Sequence, residues 1–273
     1  MPSQQEKIAA FRALHAGPGA FIIPNPFDAG SARLLAGLGA KALATSSGAC
    51  AGTLGRRDGR ISRDEALAHS KLVVDAVDIP VAADLENGFG HAPDYAAETV
   101  KLASNTGLVG CSIEDATGLP DQPLYDFDTA VARVAASAAA AKGLRNGFVL
   151  TARTENFLRG NPDLADTIRR LQAFAAAGAD VLMAPGLPDL AAVRAVCAAL
   201  DKPVNFMVGI PGKSFTKADL EAVGVRRISL ATSLWRTAMA ATARAGTEAL
   251  ELGTFGYLAT NALTPDLGSY MRA

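Results

Sequence analysis

One unit repeats along the chain and decides the fold, and residues 80–115 contain it in full: PVAADLENGFGHAPDYAAETVKLASNTGLVGCSIED. The segment begins and ends with short apolar runs, PVAADLE (80–86) and VGCSIED (109–115), which are typical of strands buried on both faces. Between them, residues 93–106 are predicted to form a helix. A strand, a crossover helix and a second strand predict two parallel strands whose carboxyl ends meet at one edge of a sheet.

The same alternation runs along the whole chain and predicts eight strand–helix units. The predicted strands cover residues 20–24, 42–46, 80–86, 109–115, 147–155, 180–186, 203–208 and 226–231. The predicted helices lie near residues 29–38, 62–77, 93–106, 128–142, 162–177, 188–200, 216–223 and 232–250. Eight units in about 250 residues match the size of a (β/α)₈ TIM barrel. A doubly wound sheet is the alternative. No linker or shift in composition divides the chain, so residues 1–273 are predicted to form a single domain.

Two helix starts carry recognisable patterns. Ser62 with Glu65 three residues later predicts a capping box, and Pro162 after Asn161 predicts a proline at the first helical position. The amino-terminal residues 1–17 have the pattern of an amphipathic helix and not that of a signal peptide.

The composition narrows the classes of partner. A formal net charge of −1 offers no basic surface for nucleic acid or an anionic membrane. No apolar run approaches the roughly 18 residues of a membrane span. Three cysteines without paired spacing (Cys50, Cys111 and Cys197) argue against disulfides or a zinc site, and predict a cytoplasmic protein. A small molecule is therefore the expected ligand.

Carboxylates cluster where two neighbouring strands end. Asp84 and Glu86 point the same way because side chains alternate along a strand, and Glu114 ends the next strand. Three such carboxylates repel one another unless a cation or a proton intervenes, and an oxygen-only set suits Mg²⁺. The alternative is that Asp84 caps a loop and Glu114 pairs with Arg153.

Arg153 lies at the end of the next predicted strand, in TARTE (151–155). An arginine on the inward side of a barrel needs an anion, and its planar guanidinium suits a substrate carboxylate. An internal salt bridge to Glu114 or Glu155 is the alternative.

The segment TSSGACAGTLGRRDGR (45–60) follows the second predicted strand. Its serines and glycines can offer backbone N–H groups to an anion. Asp58 is either a catalytic carboxylate or a turn residue before Gly59. Cys50 and Cys111 are expected to be packing residues.

Five motifs in order resemble the isocitrate lyase/phosphoenolpyruvate (PEP) mutase superfamily, from about residue 20 to about residue 240. They are NPFDAGSARLLAGLGAKALATSSGACAGTLGRRDG (25–59), DLENGFG (84–90), GCSIED (110–115), TARTENF (151–157) and ADVLMAPG (179–186). The resemblance implies a (β/α)₈ barrel whose last helix is exchanged with a partner subunit, in a homodimer or homotetramer.

The resemblance also implies the roles of individual residues. Mg²⁺, or Mn²⁺, is expected on Asp84, Glu86 and Glu114. The carboxylate of a small oxo-acid is expected at Ser46, Ser47, Gly48 and Arg153. Asp58 matches the aspartate of a mobile loop and is expected to be catalytic, together with Arg153.

Departures from the family pattern bear on the reaction. Isocitrate and methylisocitrate lyases carry a K-[KR]-C-G-H loop, whereas the matching segment here, EDATGLPDQPLYDFD (114–128), has no lysine, cysteine or histidine. The lysine, asparagine and histidine expected of the mutase branch are also missing. The resemblance therefore implies a carbon–carbon lyase that acts on a 2-oxo or 2-hydroxy dicarboxylic acid through a pyruvate enolate, as in oxaloacetate-like decarboxylation. Mutase-type C–P chemistry, 2-methylisocitrate lyase-type cleavage and a non-catalytic carboxylate-binding relative are the alternatives.

Overall fold

A computed structural model describes residues 2–261 and 266–271 of the chain. Its strands are β1 (Phe21–Ile23), β2 (Leu43–Ala44), β3 (Val81–Asp84), β4 (Gly110–Glu114), β5 (Ala116–Leu119), β6 (Gln122–Leu124), β7 (Val149–Arg153), β8 (Val181–Met183), β9 (Val204–Met207) and β10 (Arg227–Ser229). Its α-helices are α1 (Gln4–Ala16), α2 (Ala29–Gly37), α3 (Ser47–Thr53), α4 (Arg63–Ala76), α5 (Pro93–Asn105), α6 (Phe127–Gly143), α7 (Leu164–Ala176), α8 (Leu190–Ala198), α9 (Lys217–Ala222), α10 (Ser233–Thr247) and α11 (Tyr257–Asn261). A π-helical turn, Glu248–Leu252, and a 3₁₀ turn, Leu267–Tyr270, lie near the carboxyl terminus.

Eight parallel strands form a nearly closed barrel surrounded by helices. Their order is β1-β10-β9-β8-β7-β4-β3-β2, and β5 and β6 form a separate antiparallel hairpin. At the remaining seam, the Ala44 amide donates to the Pro24 carbonyl at 3.1 Å. The order follows the chain around the barrel without the reversal of a doubly wound sheet, so the TIM-barrel prediction is confirmed.

Each barrel strand falls within a predicted segment, and two local features were not predicted. Helix α3 occupies residues read as a loop, because the Ser46 side chain caps it and small residues such as Ala49 and Ala51 are buried. The hairpin of β5 and β6 follows directly after β4.

The two capping predictions have opposite outcomes. The capping box of Ser62 and Glu65 is confirmed. The position predicted for Pro162 is wrong, because Asp163 caps α7 by accepting from the Asp166 amide, and the helix begins at Leu164.

Helix α1 packs against the amino-terminal ends of the strands. Ile8 and Phe11 are buried with Ala42, Val109 and Val149, which lie at or near the strand starts. The opposite end of the barrel, where the strands terminate, is left for the polar residues described below. No helix in the described part of the chain has the length and apolar character needed to cross a membrane.

Candidate active site

A cavity of about 260 Å³ opens at the carboxyl ends of the strands. This volume lies just below the range of about 300–1,000 Å³ that is usual for ligand pockets, so it suits a small metabolite. Residues from several predicted motifs meet there: Ser46, Ser47, Asp58, Asp84 and Arg153.

Asp84 ends β3 at the centre of the polar cluster. Its Oδ2 accepts from the Ser47 amide at 3.3 Å, and its Oδ1 accepts from the Glu86 amide at 3.3 Å. The Ser112 hydroxyl donates to Oδ1 at 3.4 Å, and Arg153 Nη1 lies 3.5 Å from Oδ2. Asp84 therefore caps local backbone, as the alternative interpretation predicted, but all four contacts are long and weak.

Glu86 follows in a left-handed backbone conformation, with φ +48°. Its Oε1 is buried and has no hydrogen-bond partner in the described part of the chain. Burial, and then the charges of Asp84 and Asp58, raise the pKa of Glu86 to about 7, although Arg153 and Arg159 oppose this shift. A buried carboxylate oxygen of this kind calls for a proton or a cation.

Glu114 and Arg153 form the other side of the cluster. Arg153 Nε lies 2.5 Å from Glu155 Oε1 and 3.4 Å from Glu114 Oε2. Burial lowers the pKa of Arg153, but the nearby carboxylates outweigh that effect and raise it above its ordinary value. Burial raises the pKa of the Glu114 carboxyl well above its usual range, and Arg153 offsets this in part. The salt bridges predicted as the alternative role of Arg153 are therefore present, whereas its Nη2 takes part in none of these contacts.

Arg159 is a site residue that the sequence interpretation missed. Its Nε lies 3.2 Å from Glu155 Oε2, and its Nη2 lies 3.6 Å from Glu114 Oε1. The spacing of four residues between Glu155 and Arg159 was the available sequence indication.

The cluster can be tested as a metal site. Within residues 2–261 and 266–271, no three His, Cys, Asp or Glu side chains form a group that could hold a metal ion. Glu114 is engaged by Arg153 and Arg159. Asp84 and Glu86 nevertheless suit a hard cation, because their donors are oxygens and Glu86 Oε1 lacks a partner. The assignment of Asp84, Glu86 and Glu114 as ligands stays a prediction.

The predicted anion-binding segment forms the first turn of α3. The Ser46 hydroxyl accepts from the Ala49 amide at 3.4 Å and lies 3.1 Å from Thr232 Oγ1. A Cβ atom added to Gly48 would lie 3.0 Å from Thr232 Oγ1 and 3.1 Å from Asp58 Oδ2. A larger residue at this position would have to displace the Thr232 and Asp58 side chains, where α3, the start of α10 and the turn that carries Asp58 come together.

Asp58 has features of both roles considered for it. Its Oδ1 accepts from the Gly59 amide at 3.1 Å, as a turn residue would. Its Oδ2 is turned toward Gly48, and the residue lines the cavity while remaining exposed. The structure thus brings Asp58 to the predicted mouth.

Two buried arrangements hold the site in place and were not predicted. Asp115 accepts from the Glu155 amide at 2.8 Å and from Arg170 Nη1 at 3.1 Å, which positions the end of β7. Arg133, only 1% exposed, donates to the carbonyls of Asn87 and His91 in the loop after Glu86.

The cysteines are buried or half-buried, and none provides an activated thiol. Burial raises the pKa of Cys50 to about 12 and that of Cys197 to about 11, and it raises the pKa of Cys111 further still. Cys50 and Cys111 are fully buried, as expected of packing residues.

Comparisons with known proteins extend along the barrel. Residues 11–250 match the sequence model of a family described as phosphoenolpyruvate phosphomutase. A crystal structure from Burkholderia cenocepacia J2315, provisionally described as a lyase/mutase, shares 50% identity with a TM-score of 0.94, and the match covers 98% of this chain and 96% of that one. The 2-methylisocitrate lyase of Escherichia coli K12 is 30% identical over 203 residues, which cover 71% of this chain and 67% of the relative. The oxaloacetate decarboxylase of Chromohalobacter salexigens is 28% identical over 233 residues, which cover 82% of this chain and 79% of the relative. The similarity therefore extends well beyond isolated motifs.

Proposed function

The chain belongs to the phosphoenolpyruvate phosphomutase family, within the isocitrate lyase/PEP mutase superfamily, and we propose that it is a Mg²⁺-dependent lyase. Its substrate is a small 2-oxo or 2-hydroxy dicarboxylic acid, and its reaction passes through a pyruvate enolate. The observation that carries this proposal is the unpartnered Glu86 oxygen, which lies near Asp84 and Arg153, two residues that line a cavity sized for a small acid.

The charges around the cavity support a divalent cation. Arg153 and Arg159 pair with Asp84, Glu114 and Glu155, and the carboxylates of Glu86 and Asp58 lie on the same side of the mouth. Arg227 and Arg236 also line the cavity, but in the described part of the chain neither forms an ion pair with these carboxylates. Asp84, Glu86 and Glu114 are the residues that would hold Mg²⁺, and Mn²⁺ accepts the same oxygen donors. When bound, the ion supplies positive charge for the enolate oxygen.

Residues of the mouth orient the acid. Arg153 has Nη2 outside the ion pairs described above, and the first turn of α3 presents the Gly48 backbone amide, next to the Ser47 amide that donates weakly to Asp84 at 3.3 Å. These donors hold the substrate carboxylate so that the bond to be broken is oriented correctly.

Decarboxylation demands least of the residues present. The C–C bond to the departing carboxylate breaks, its electron pair forms the enolate, CO₂ leaves, and a proton must then reach the terminal carbon. Asp58 is the residue proposed to deliver that proton. Cleavage of a 2-hydroxy acid also requires a base for the hydroxyl proton, and Asp58 is the candidate for that role as well.

The segment after β4 favours decarboxylation over isocitrate-type cleavage. Residues 116–124 form the hairpin of β5 and β6, and they contain no lysine, cysteine or histidine. Because the buried thiols have raised pKa values, no cysteine substitutes for the missing acid/base group. Similarity to an oxaloacetate decarboxylase agrees with this choice.

The test measures pyruvate released from oxaloacetate, phosphonopyruvate and a 2-alkylmalate, with Mg²⁺ or with EDTA. We expect oxaloacetate to react with Mg²⁺ only, and Glu86→Gln to lower the rate at least about a hundredfold. The matched control is Glu98→Gln on the exposed face of α5, which should leave the rate unchanged. Full activity of Glu86→Gln in EDTA would sink the proposal. A melting temperature raised by Mg²⁺ and oxalate, without turnover of any substrate, would identify a non-catalytic relative instead.

We also propose that the protein is a homodimer or homotetramer in which α10 packs against a partner subunit. None of the residues of α10 is buried. Met239, Leu250, Leu252 and Phe255 are large apolar residues that are exposed in one chain. Light scattering after chromatography should show an oligomer that Met239→Asp with Leu250→Asp dissociates. A monomeric wild-type protein would refute this assembly.

A further inference from the structure

The cavity does not end at the mouth but continues into the barrel. Its deeper walls are formed by small or neutral side chains: Ala44, Ala82, Cys111, Thr151, Asn205 and Ser229. The interior of a TIM barrel is ordinarily filled by layers of bulky side chains. The small residues here leave room for part of a ligand below the carboxylate cluster.

A buried arginine lines this deeper space. Arg227, in β10, is 6% exposed. Its Nε donates to Asn205 Oδ1 at 2.8 Å, and its Nη2 donates to Thr151 Oγ1 at 3.0 Å. Its Nη1 lies 3.3 Å from His15 Nε2.

The histidine partner is neutral. His15 Nδ1 lies 2.8 Å from the Phe11 carbonyl, which can only accept, so Nδ1 carries the hydrogen and Nε2 accepts from Arg227. Burial, and then the charge of Arg227, lower the pKa of His15 to about 3. The contacts of Arg227 with Asn205, Thr151 and His15 are therefore all made to uncharged groups.

Arg227 thus lacks a counterion. Across residues 2–261 and 266–271, no carboxylate forms an ion pair with it. Burial lowers the pKa of Arg227 to about 9, which still leaves it charged at neutral pH. Buried charges in proteins are ordinarily paired or bound to a ligand of opposite charge.

The hydrogen bond between Arg227 and Thr151 shows how far the Arg227 guanidinium lies below Arg153 at the mouth. Arg227 donates to Thr151, which precedes Arg153 by two residues on β7. Two residues of a strand span about 7 Å, so Arg227 bonds about one barrel layer below Arg153. A short diacid with one carboxylate at the mouth extends toward this layer.

We propose that Arg227 is a specificity-determining residue that binds the distal carboxylate of a dicarboxylic acid within the barrel. The inference rests on the proposed function for the position of the first carboxylate, and it adds the group that selects a longer dianion. Arg227 lines the cavity, and its three nitrogens contact only neutral groups of the protein, so a diacid in the cavity supplies the missing counterion.

The first test compares Arg227→Met with Arg226→Met by titration calorimetry in Mg²⁺. Arg226 is the matched control, because its Nη1 binds the carbonyls of Gly17 and Gly19 and it does not line the cavity. Succinate is the probe that spans both layers, and oxalate is the probe that occupies the mouth alone. In Arg227→Met, the affinity for succinate should fall about tenfold or more while that for oxalate stays unchanged. In Arg226→Met, both affinities should equal those of the wild type.

The second test keeps the arginine and supplies its counterion. Asn205→Asp places a carboxylate where Arg227 Nε now finds an amide oxygen at 2.8 Å. We expect a higher melting temperature, because a buried cation gains a partner, and a loss of succinate affinity of about tenfold or more. This variant keeps the test decisive if Arg227→Met fails to fold.

The outcomes separate this inference from the proposed function. The role of Arg227 would be overturned if the Arg227 and Asn205 variants lost equal affinity for succinate and oxalate, or lost affinity for neither. If the wild type binds succinate but shows no lyase activity, a selective loss in the variants still supports the subsite while the proposed reaction fails. If the wild type binds neither acid, both proposals are overturned.

Discussion

Two arginines, the half-buried Arg153 and the buried Arg227, lie at different depths of the same barrel and have opposite surroundings. Arg153 lies within 3.5 Å of Asp84, Glu114 and Glu155, and these carboxylates raise its pKa above the ordinary value. Arg227 contacts only neutral groups, and burial lowers its pKa to about 9. Arg153 is surrounded by more carboxylates than its single positive charge needs. Arg227 has no carboxylate partner in the described part of the chain.

The difference separates two ways in which a charged side chain can serve a binding site. At the mouth, an excess of carboxylates around Arg153 favours a metal cation and holds the guanidinium in a fixed orientation. In the interior, an unpaired cation favours an anionic ligand. A site with both features suits a metal-bound diacid.

The largest effect is expected from removing Arg153, with the removal of Arg227 as the comparison. Arg153→Met leaves buried carboxylates without their nearest cation and should lower the free energy of unfolding by about 3–5 kcal/mol. Arg227→Met removes an unpaired buried charge along with its hydrogen bonds, so its cost should be less than half as large. Urea denaturation of both variants measures the two values. Equal losses in the free energy of unfolding would contradict the difference in charge compensation between Arg153 and Arg227.

The next effect concerns the carboxylate excess at the mouth. The pKa of Glu86 is raised from an ordinary value of 4.5 to about 7, so the folded state binds this proton more tightly than the unfolded chain does. The stability that this proton contributes is complete below pH 4.5 and is lost as the pH rises through about 7. In EDTA, the free energy of unfolding of the wild type should fall by about 2–3 kcal/mol more than that of Glu86→Gln when the pH rises from 4.5 to 7.5. If the free energies of unfolding of the two proteins changed with pH in parallel, the raised pKa of Glu86 would be contradicted.

A smaller effect is expected where three segments meet at the mouth. Gly48→Ala places a methyl group about 3 Å from the side chains of Thr232 and Asp58, and overpacking of this kind costs about 1–3 kcal/mol. Alanine gains about 1 kcal/mol over glycine within α3, so the net loss in the free energy of unfolding should be at most about 2 kcal/mol. It should also displace Asp58 and lower the rate of decarboxylation. Gly143→Ala at the end of α6, where nothing lies within 4 Å, is the control. A wild-type rate of decarboxylation in Gly48→Ala would indicate that Asp58 takes no part in the reaction.

The smallest effect concerns the cap of α3. Ser46→Ala removes a hydroxyl that caps the helix and should cost about 1 kcal/mol. Ser3→Ala removes the cap of α1, remote from the mouth, and should cost a similar amount. We expect only Ser46→Ala to weaken oxalate binding, as measured by calorimetry. Equal oxalate affinities in both variants would show that the first turn of α3 is structural only.

The sequence alone determined the barrel and placed most of the carboxylates, together with Arg153, at its mouth, although it missed Arg159. Apolar runs buried on both faces alternate with helices, and this pattern allows few other folds. Since parallel strands end at the same edge, the positions of Asp84, Glu86, Glu114 and Arg153 followed from their places in those runs.

Only the tertiary structure decided how these side chains pair. Glu114 is engaged by Arg153 and Arg159, and Ser46 meets Thr232 across 186 positions of the chain. His15 and Arg227, which are 212 positions apart, meet because α1 packs on the amino-terminal ends of the strands while β10 pairs with β1. Strand periodicity gives the side of the sheet on which a residue lies, but barrel closure sets which distant residues share its layer and whether a buried charge has a partner.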